Sequence, residues 1–238
     1  MADAQASSVL TAEVARFDAL AGQWWDPAGP MRPLHDMNPL RIGWICARLR
    51  DRFGEHGVRV LDVGCGAGLA AEALAKRGHT VLGIDAAGGA LAAARAHAEG
   101  QGLPLAYRET TAEALLAEDA RFAAITALEV IEHVADPAAF LATLARLLAP
   151  NGLLFVSTIN RTPRAFLTAK LGAEYVLRLL PAGTHDYRRF VTPAELGRHL
   201  RAAGLRLSDI AGMAPDTPRG GWRASRDVGV NYIAMAEG

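Results

Sequence analysis

Val60-Leu61-Asp62-Val63-Gly64-Cys65-Gly66-Ala67-Gly68 is the stretch whose reading decides the fold. A short run rich in β-branched residues ends in alternating glycines and leads at once into the Ala- and Leu-rich segment Leu69–Arg77. Glycine permits positive φ and lets another group approach the backbone with no Cβ in the way. The helix that follows offers unpaired N–H groups and a positive dipole end. A second apolar run, Thr80–Ile84, closes with Gly83-Ile84-Asp85 and so places a carboxylate 21 positions beyond Gly64. Strand, glycine turn, helix, strand and acid together form the adenosine-binding arrangement of doubly wound sheets.

The pattern continues outward. Val58–Val63, Thr80–Ile84, Phe122–Leu128 and Gly152–Thr158 read as buried strands, with Leu105–Arg108 a weaker one. Leu69–Arg77, Gly89–Glu99, Thr111–Ala117 and Asp136–Leu148 have helical length and composition. Alternation of this kind implies right-handed βαβ units and a mostly parallel sheet covered on both faces. Further on come a helix over Pro193–Ala203 and strands near Leu205–Ile210 and Val230–Met235. Ahead of the sheet, Ser8–Ala21 and Pro39–Phe53 read as helices separated by the Pro- and Gly-containing stretch Asp26–Pro39. The expectation is one α/β domain over residues 1–238, built on a doubly wound, mostly parallel seven-stranded sheet. Its parts would be a helical lid (1–56), a core (57–160), an inserted segment (161–189) and a C-terminal part of the sheet (190–238).

Composition narrows the class. Of the 238 residues, 51% are hydrophobic and 21% charged, which excludes a disordered chain. Lys plus Arg (25) equals Asp plus Glu (25), against a nucleic-acid binder with a basic surface. Two cysteines, Cys46 and Cys65, fit a reducing compartment better than a disulfide framework. The most apolar stretch, Ala139–Val156, is broken by Arg146, Pro150, Asn151 and Gly152, so it does not read as a membrane span. No basic-then-apolar signal opens the sequence. A soluble, globular protein of the cytoplasm is the expectation.

The glycine spacing discriminates between cofactors. A dinucleotide site has G-x-G-x-x-G with pyrophosphate at the helix start; here the spacing is G-x-G-x-G, with Asp62 two residues before Gly64. A carboxylate there repels pyrophosphate and suits the ammonium of an amino-acid moiety. S-adenosylmethionine carries both a ribose and that ammonium. A non-enzymatic interaction module would leave Asp62, Gly64, Gly66 and Asp85 without a common purpose.

On the glycine motif, Asp85 and the Glu-rich turn after the fourth strand, the chain resembles the class I S-adenosylmethionine-dependent methyltransferases over about residues 57–160. That resemblance implies that Gly64 and Gly66 approach the methionine part, that Asp85 holds the ribose, and that Thr111–Glu113 and Leu128 flank the adenosine side. The flanks resemble a narrower family, the O-methyltransferases of ubiquinone biosynthesis. The matching strings are Phe17–Pro27, Pro33-Leu34-His35-Asp36-Met37-Asn38-Pro39-Leu40-Arg41, Glu129–Val134, Ser157–Arg161, Gly172–Tyr175, Gly183–Asp186, Thr192–Leu196 and Asp227–Tyr232. The resemblance implies O-methylation of 2-polyprenyl-6-hydroxyphenol and 3-demethylubiquinol, with Arg41 on the cofactor, where a guanidinium suits the methionine carboxylate. A methyltransferase for another phenol or small metabolite is the alternative. Trp24 and Trp25 suit either lid packing or an aromatic wall.

Methyl transfer to oxygen needs alignment and removal of the phenolic proton. Glu129, Glu132 and His133 follow the fourth strand, at the sheet edge where ligands of such folds sit. If that segment is helical, the three share a face. Two versions stand open: Glu132 and His133 act directly, with His133 as general base, or Glu129, Glu132 and His133 bind Mg²⁺ that orients the phenol. The resemblance favours the metal version. His185 is a second candidate base.

Residues 161–189 carry six basic residues against two acidic ones, a local net of +4, together with Phe166, Leu167, Leu171, Tyr175 and further apolar side chains. Such a segment suits a cap over the site that also touches an anionic membrane, where a polyprenyl substrate resides. Partner enzymes of the same pathway are a further expectation.

Overall fold

The computed structural model describes residues 8, 14–15, 18, 20–168, 187–216 and 220–238. Eight strands form one sheet: β1 (Arg59–Val63), β2 (Thr80–Asp85), β3 (Leu105–Glu109), β4 (Phe122–Leu128), β5 (Leu148–Ile159), β6 (Arg206–Pro215), β7 (Trp222–Ser225) and β8 (Asn231–Glu237). Their spatial order is β3-β2-β1-β4-β5-β8-β6-β7. The first five strands pair in parallel, while β8 lies antiparallel between β5 and β6, and β7 is antiparallel to β6. The sheet therefore has one strand more than the sequence suggests, the short edge strand β7.

Side chains of the central strands alternate between two cores, as the two-residue period of a strand requires. Leu61, Ile125, Leu154 and Val156 face one core, with helices α4 (Ala112–Ala117), α5 (Pro137–Leu147) and α6 (Pro193–Ala202). Val60, Ala124, Leu153 and Phe155 face the other, under α1 (Arg32–Phe53) and α2 (Leu69–Ala75). The remaining helix, α3 (Gly88–Ala98), follows β2. Burial on both faces explains why these strands read as continuous apolar runs. Caps set three helix starts. Thr111 accepts from the Ala114 N–H, and Asp136 accepts from Ala138 and Ala139 ahead of Pro137. Thr192 and Glu195 form a reciprocal capping box ahead of Pro193.

The N-terminal part differs from expectation. Helix α1 begins at Arg32 and runs through Pro39, where a break between two elements was expected. Pro33 sits in its first turn, a position where proline's missing N–H costs nothing, and only one interior rung is lost at Pro39. Most of the expected helix Ser8–Ala21 lies outside the described residues. So do positions 169–186 of the inserted segment; residues 163–168 are helical. A short 3₁₀ turn over Ala21–Gln23 leads into a third apolar cluster, in which Trp24 and Met31 pack with Ala67, Leu69, Ala87 and Ala90. That cluster places the N-terminal segment on the glycine turn.

Candidate active site

The sheet order reverses between β1 and β4, and the site opens there, as in other open α/β sheets. Beyond β1 the chain turns through Gly64, Gly66 and Gly68 with φ of +66°, +53° and +88°. Gly68 caps α2 in the left-handed conformation. Cys65 N–H bonds the Ile84 carbonyl at 3.0 Å, locking the turn to β2. Asp85 completes the lock: Oδ2 accepts from Gly66 N–H and Oδ1 from Ala87 N–H, each at 2.8 Å. Burial raises the pKa of Asp85, opposed by the N–H groups of Ala87 and Gly66.

The space a Cβ would need at these glycines is already taken by side chains of the chain itself. At Gly64 it would lie 2.6 Å from Val130 Cγ2, at Gly66 2.7 Å from Trp24 Cη2, and at Gly68 2.7 Å from Tyr107 Cζ. The glycines thus serve close packing as well as positive φ. Val130, Trp24 and Tyr107 come from three separate parts of the chain, and no local spacing announces these partnerships.

Asp62 is 2% exposed, and its Oδ1 accepts the Thr126 hydroxyl at 2.6 Å from the adjacent strand. Its Oδ2 is buried without a hydrogen-bond partner. Burial pushes its pKa up to about 6, against the pull of Thr126 and Arg41. Arg41, on α1 and 3% exposed, bonds Asn38 Oδ1 at 3.4 Å and the Leu34 carbonyl at 3.5 Å, and its Nη1 lies 3.9 Å from Glu129 Oε1. Its Nε is buried and unpartnered, and desolvation lowers its pKa. A buried carboxylate oxygen and a buried guanidinium N–H, both unmet, are the complement of a zwitterion carrying an ammonium and a carboxylate. The amino-acid end of S-adenosylmethionine is such a group, so the residues fit the cofactor.

Leu128 ends β4 beside Ser157 of β5. Glu129 follows with φ +57°, an uncommon conformation for a non-glycine residue and one that clusters at functional sites. Its Oε1 accepts the Ser157 hydroxyl at 2.6 Å. Ile131–His133 form a 3₁₀ turn, in which buried Glu132 accepts the Thr158 hydroxyl at 2.8 Å and His133 is half-buried. The left-handed Glu129 and the single 3₁₀ turn take the place of the helical face expected of these three residues. The two carboxylates are tied to neighbouring β5 residues that point to opposite faces of the sheet. Among the described residues no group of three His, Cys, Asp or Glu is placed to hold a metal ion. Glu113 accepts from the Ser8 N–H at 3.3 Å through Oε1, while its Oε2 is buried and unmet. His185 lies outside the described residues. Thr126, which holds Asp62 across the β1–β4 seam, carries no sequence signal of its own.

Residues 40–209 match a family model described as a methyltransferase domain. The ubiquinone biosynthesis O-methyltransferase of Dinoroseobacter shibae is 48% identical, with 96% of each chain covered. That of Pseudomonas aeruginosa is 46% identical, covering 97% of this chain and 98% of the relative. Among solved structures, the magnesium protoporphyrin IX methyltransferase from Synechocystis with bound S-adenosylmethionine superposes with a TM-score of 0.64. It is 17% identical and the match covers 98% of this chain and 99% of that one, a likeness of fold. With near-complete coverage by relatives of one name and a methyltransferase core, the chain belongs to the ubiquinone biosynthesis O-methyltransferase family of S-adenosylmethionine-dependent enzymes.

Proposed function

We propose that the chain methylates the phenolic hydroxyl of 2-polyprenyl-6-hydroxyphenol and of 3-demethylubiquinol. The observation that carries the reading is the buried pair Asp62 and Arg41, each with an unmet polar atom beside the glycine turn. The relatives' shared name supplies the substrate class.

When bound, S-adenosylmethionine supplies a sulfonium methyl whose C–S electron pair leaves with sulfur. Arg41 and Asp62 hold the carboxylate and ammonium of its methionine end. Gly64 and Gly66 set the path of the turn, while Asp85 and Leu128 line the ribose and adenosine side. His133 takes the proton from the phenol, so that a phenolate attacks. Glu132, fixed by Thr158, holds the turn that presents His133.

The substrate tail resides in a bilayer. No helix among the described residues is long and apolar enough to cross a membrane. Phe166 and Leu167 are 43% and 57% exposed, beside Arg161 and Arg164. Arg161 and Arg164 pair with Glu195 and Asp227, so the exposed apolar pair Phe166 and Leu167 is what supports the reading of 161–189 as a segment that touches an anionic membrane surface.

The test is transfer of a labelled methyl group from S-adenosylmethionine to a short-prenyl 3-demethylubiquinol analogue. The expected product is the labelled methyl ether. Cofactor binding without labelled product from this analogue or the corresponding phenol would reject the substrate assignment. The membrane arm is read separately, as sedimentation with anionic vesicles at low salt. Vesicle binding that survives deletion of 166–180 would contradict that assignment.

A further inference from the structure

The segment from Leu20 to Leu34 crosses the glycine turn like a strap, and its fastenings form a chain of contacts that the methyl-transfer chemistry does not require. At one end Asp18 Oδ1 accepts the Gly89 N–H at 2.8 Å, at the start of α3. In the middle Trp24, 5% exposed, lies against Gly66, whose own N–H is held by Asp85. His35 Nε2 lies 2.8 Å from the Trp24 carbonyl oxygen, and the Leu34 carbonyl meets Arg41. The neighbouring Trp25 donates its indole N–H to the Ala67 carbonyl at 3.0 Å and stacks on His97 of α3, with ring centroids 3.4 Å apart and planes 5° from parallel. His97 Nδ1 is in turn 2.7 Å from the buried Glu72 carboxylate of α2.

From this arrangement we infer that Trp24 is a positioning residue that closes the cofactor turn, and that Trp25, His97 and Glu72 form the latch holding it shut. With Trp24 seated on Gly66 and the Leu34 carbonyl on Arg41, the strap touches both the glycine turn and the arginine of the cofactor site. Release of S-adenosylhomocysteine therefore waits for the latch to open. The rings lie face to face with little offset, an arrangement at the lower end of aromatic-pair contributions, enough to shift an opening equilibrium by about two- to fivefold. The inference rests on the cofactor assignment and is independent of the quinol substrate.

Two readouts test it. Hydrogen exchange in the cofactor-free chain should be faster over residues 20–34 in His97→Ala and Trp25→Ala, with β2 unchanged, and His97→Phe, which keeps the stack and loses the bond to Glu72, should restore part of the protection. In stopped-flow chase experiments, the same two alanine variants should release S-adenosylhomocysteine about two- to fivefold faster. Trp24→Ala should do the same, and Trp24→Phe should recover most of the loss. Unchanged exchange and release in both Trp25→Ala and His97→Ala would overturn the latch, as would acceleration spread evenly over the whole chain. A wild-type chain that bound no S-adenosylhomocysteine would overturn the cofactor assignment and the strap's role in release together, whereas normal binding with unchanged release rates rejects the latch alone.

Discussion

At the end of β1 the chain passes through three left-handed glycines whose backbone is tied to β2 by Cys65 and Asp85 and whose Cβ spaces are filled by Val130, Trp24 and Tyr107. At the end of β4 the corresponding turn is made by Glu129 in a left-handed conformation and a single 3₁₀ turn, held by two side-chain bonds from Ser157 and Thr158. The first region is a rigid socket in which Asp62 Oδ2 and Arg41 Nε, together with the Tyr107 hydroxyl, are buried without a hydrogen-bond partner. The second is a presenting arm, strained at one residue and carrying the groups assigned to proton removal. Cofactor binding and turnover should therefore separate by mutation.

The largest effect is expected on the arm. His133→Ala should lower kcat by about 10²–10³-fold with the S-adenosylhomocysteine Kd unchanged, as removal of a general base does. Comparable loss in both constants would erase the division between socket and arm. Asp85→Ala should act in the opposite sense and weaken cofactor binding by about 100-fold, since two charge-assisted bonds to the turn vanish with the ribose contact. Calorimetric titration reads this directly.

Asp62 sharpens the comparison through pH. The folded chain holds its proton more tightly than the unfolded chain, moving the pKa from 3.8 to about 6. Its contribution to stability is complete below about 3.8 and is lost as the pH rises through about 6. Asp62→Asn keeps the acceptor for Thr126 and removes the buried charge. It should stabilise the cofactor-free chain at pH 7.5 by on the order of 2 kcal/mol in denaturant titrations while weakening cofactor binding. Arg41→Met should cost about tenfold in cofactor affinity, a smaller effect because the socket backbone remains.

The smallest effect lies far from both regions. His79 is buried with Nδ1 unpartnered, and desolvation, His56 and Arg77 lower its pKa. The neutral form is favoured in the folded chain, so its contribution is complete above about 6.5 and falls away as the pH drops below that value. His79→Leu should flatten the acid limb of stability by about 1 kcal/mol or less.

What the sequence reveals follows the same division. The socket is contiguous: a strand, three glycines, a helix and an acid at fixed spacing can be read from residues 60–85 alone, and the structure puts them together. Its reinforcement cannot be read this way, because Thr126, Tyr107, Val130 and Trp24 reach the turn from other elements only after the sheet forms. The arm misleads because Glu129, Glu132 and His133 suggest a helical face, while backbone strain at Glu129 is invisible in residue types. Pro39 misleads in a different manner. Proline usually ends a helix, yet the surrounding apolar face of α1, with Ile42, Trp44, Ile45 and Leu49 buried, outweighs one missing rung. Strand β7 escapes notice because four residues after Gly220-Gly221, two of them exposed and two half-buried, carry almost no hydrophobic pattern.

The central claim is that Asp62 and Arg41 wait, buried, for the amino-acid end of the cofactor. Titration calorimetry with S-adenosylhomocysteine at pH 6, in two buffers of different ionisation heat, tests it most directly. An ammonium arriving beside Asp62 should lower its pKa and release a fraction of a proton, so the apparent enthalpies should differ between buffers, and the difference should vanish in Asp62→Asn. Equal enthalpies in the wild-type chain, or a difference that persists in Asp62→Asn, would contradict the account.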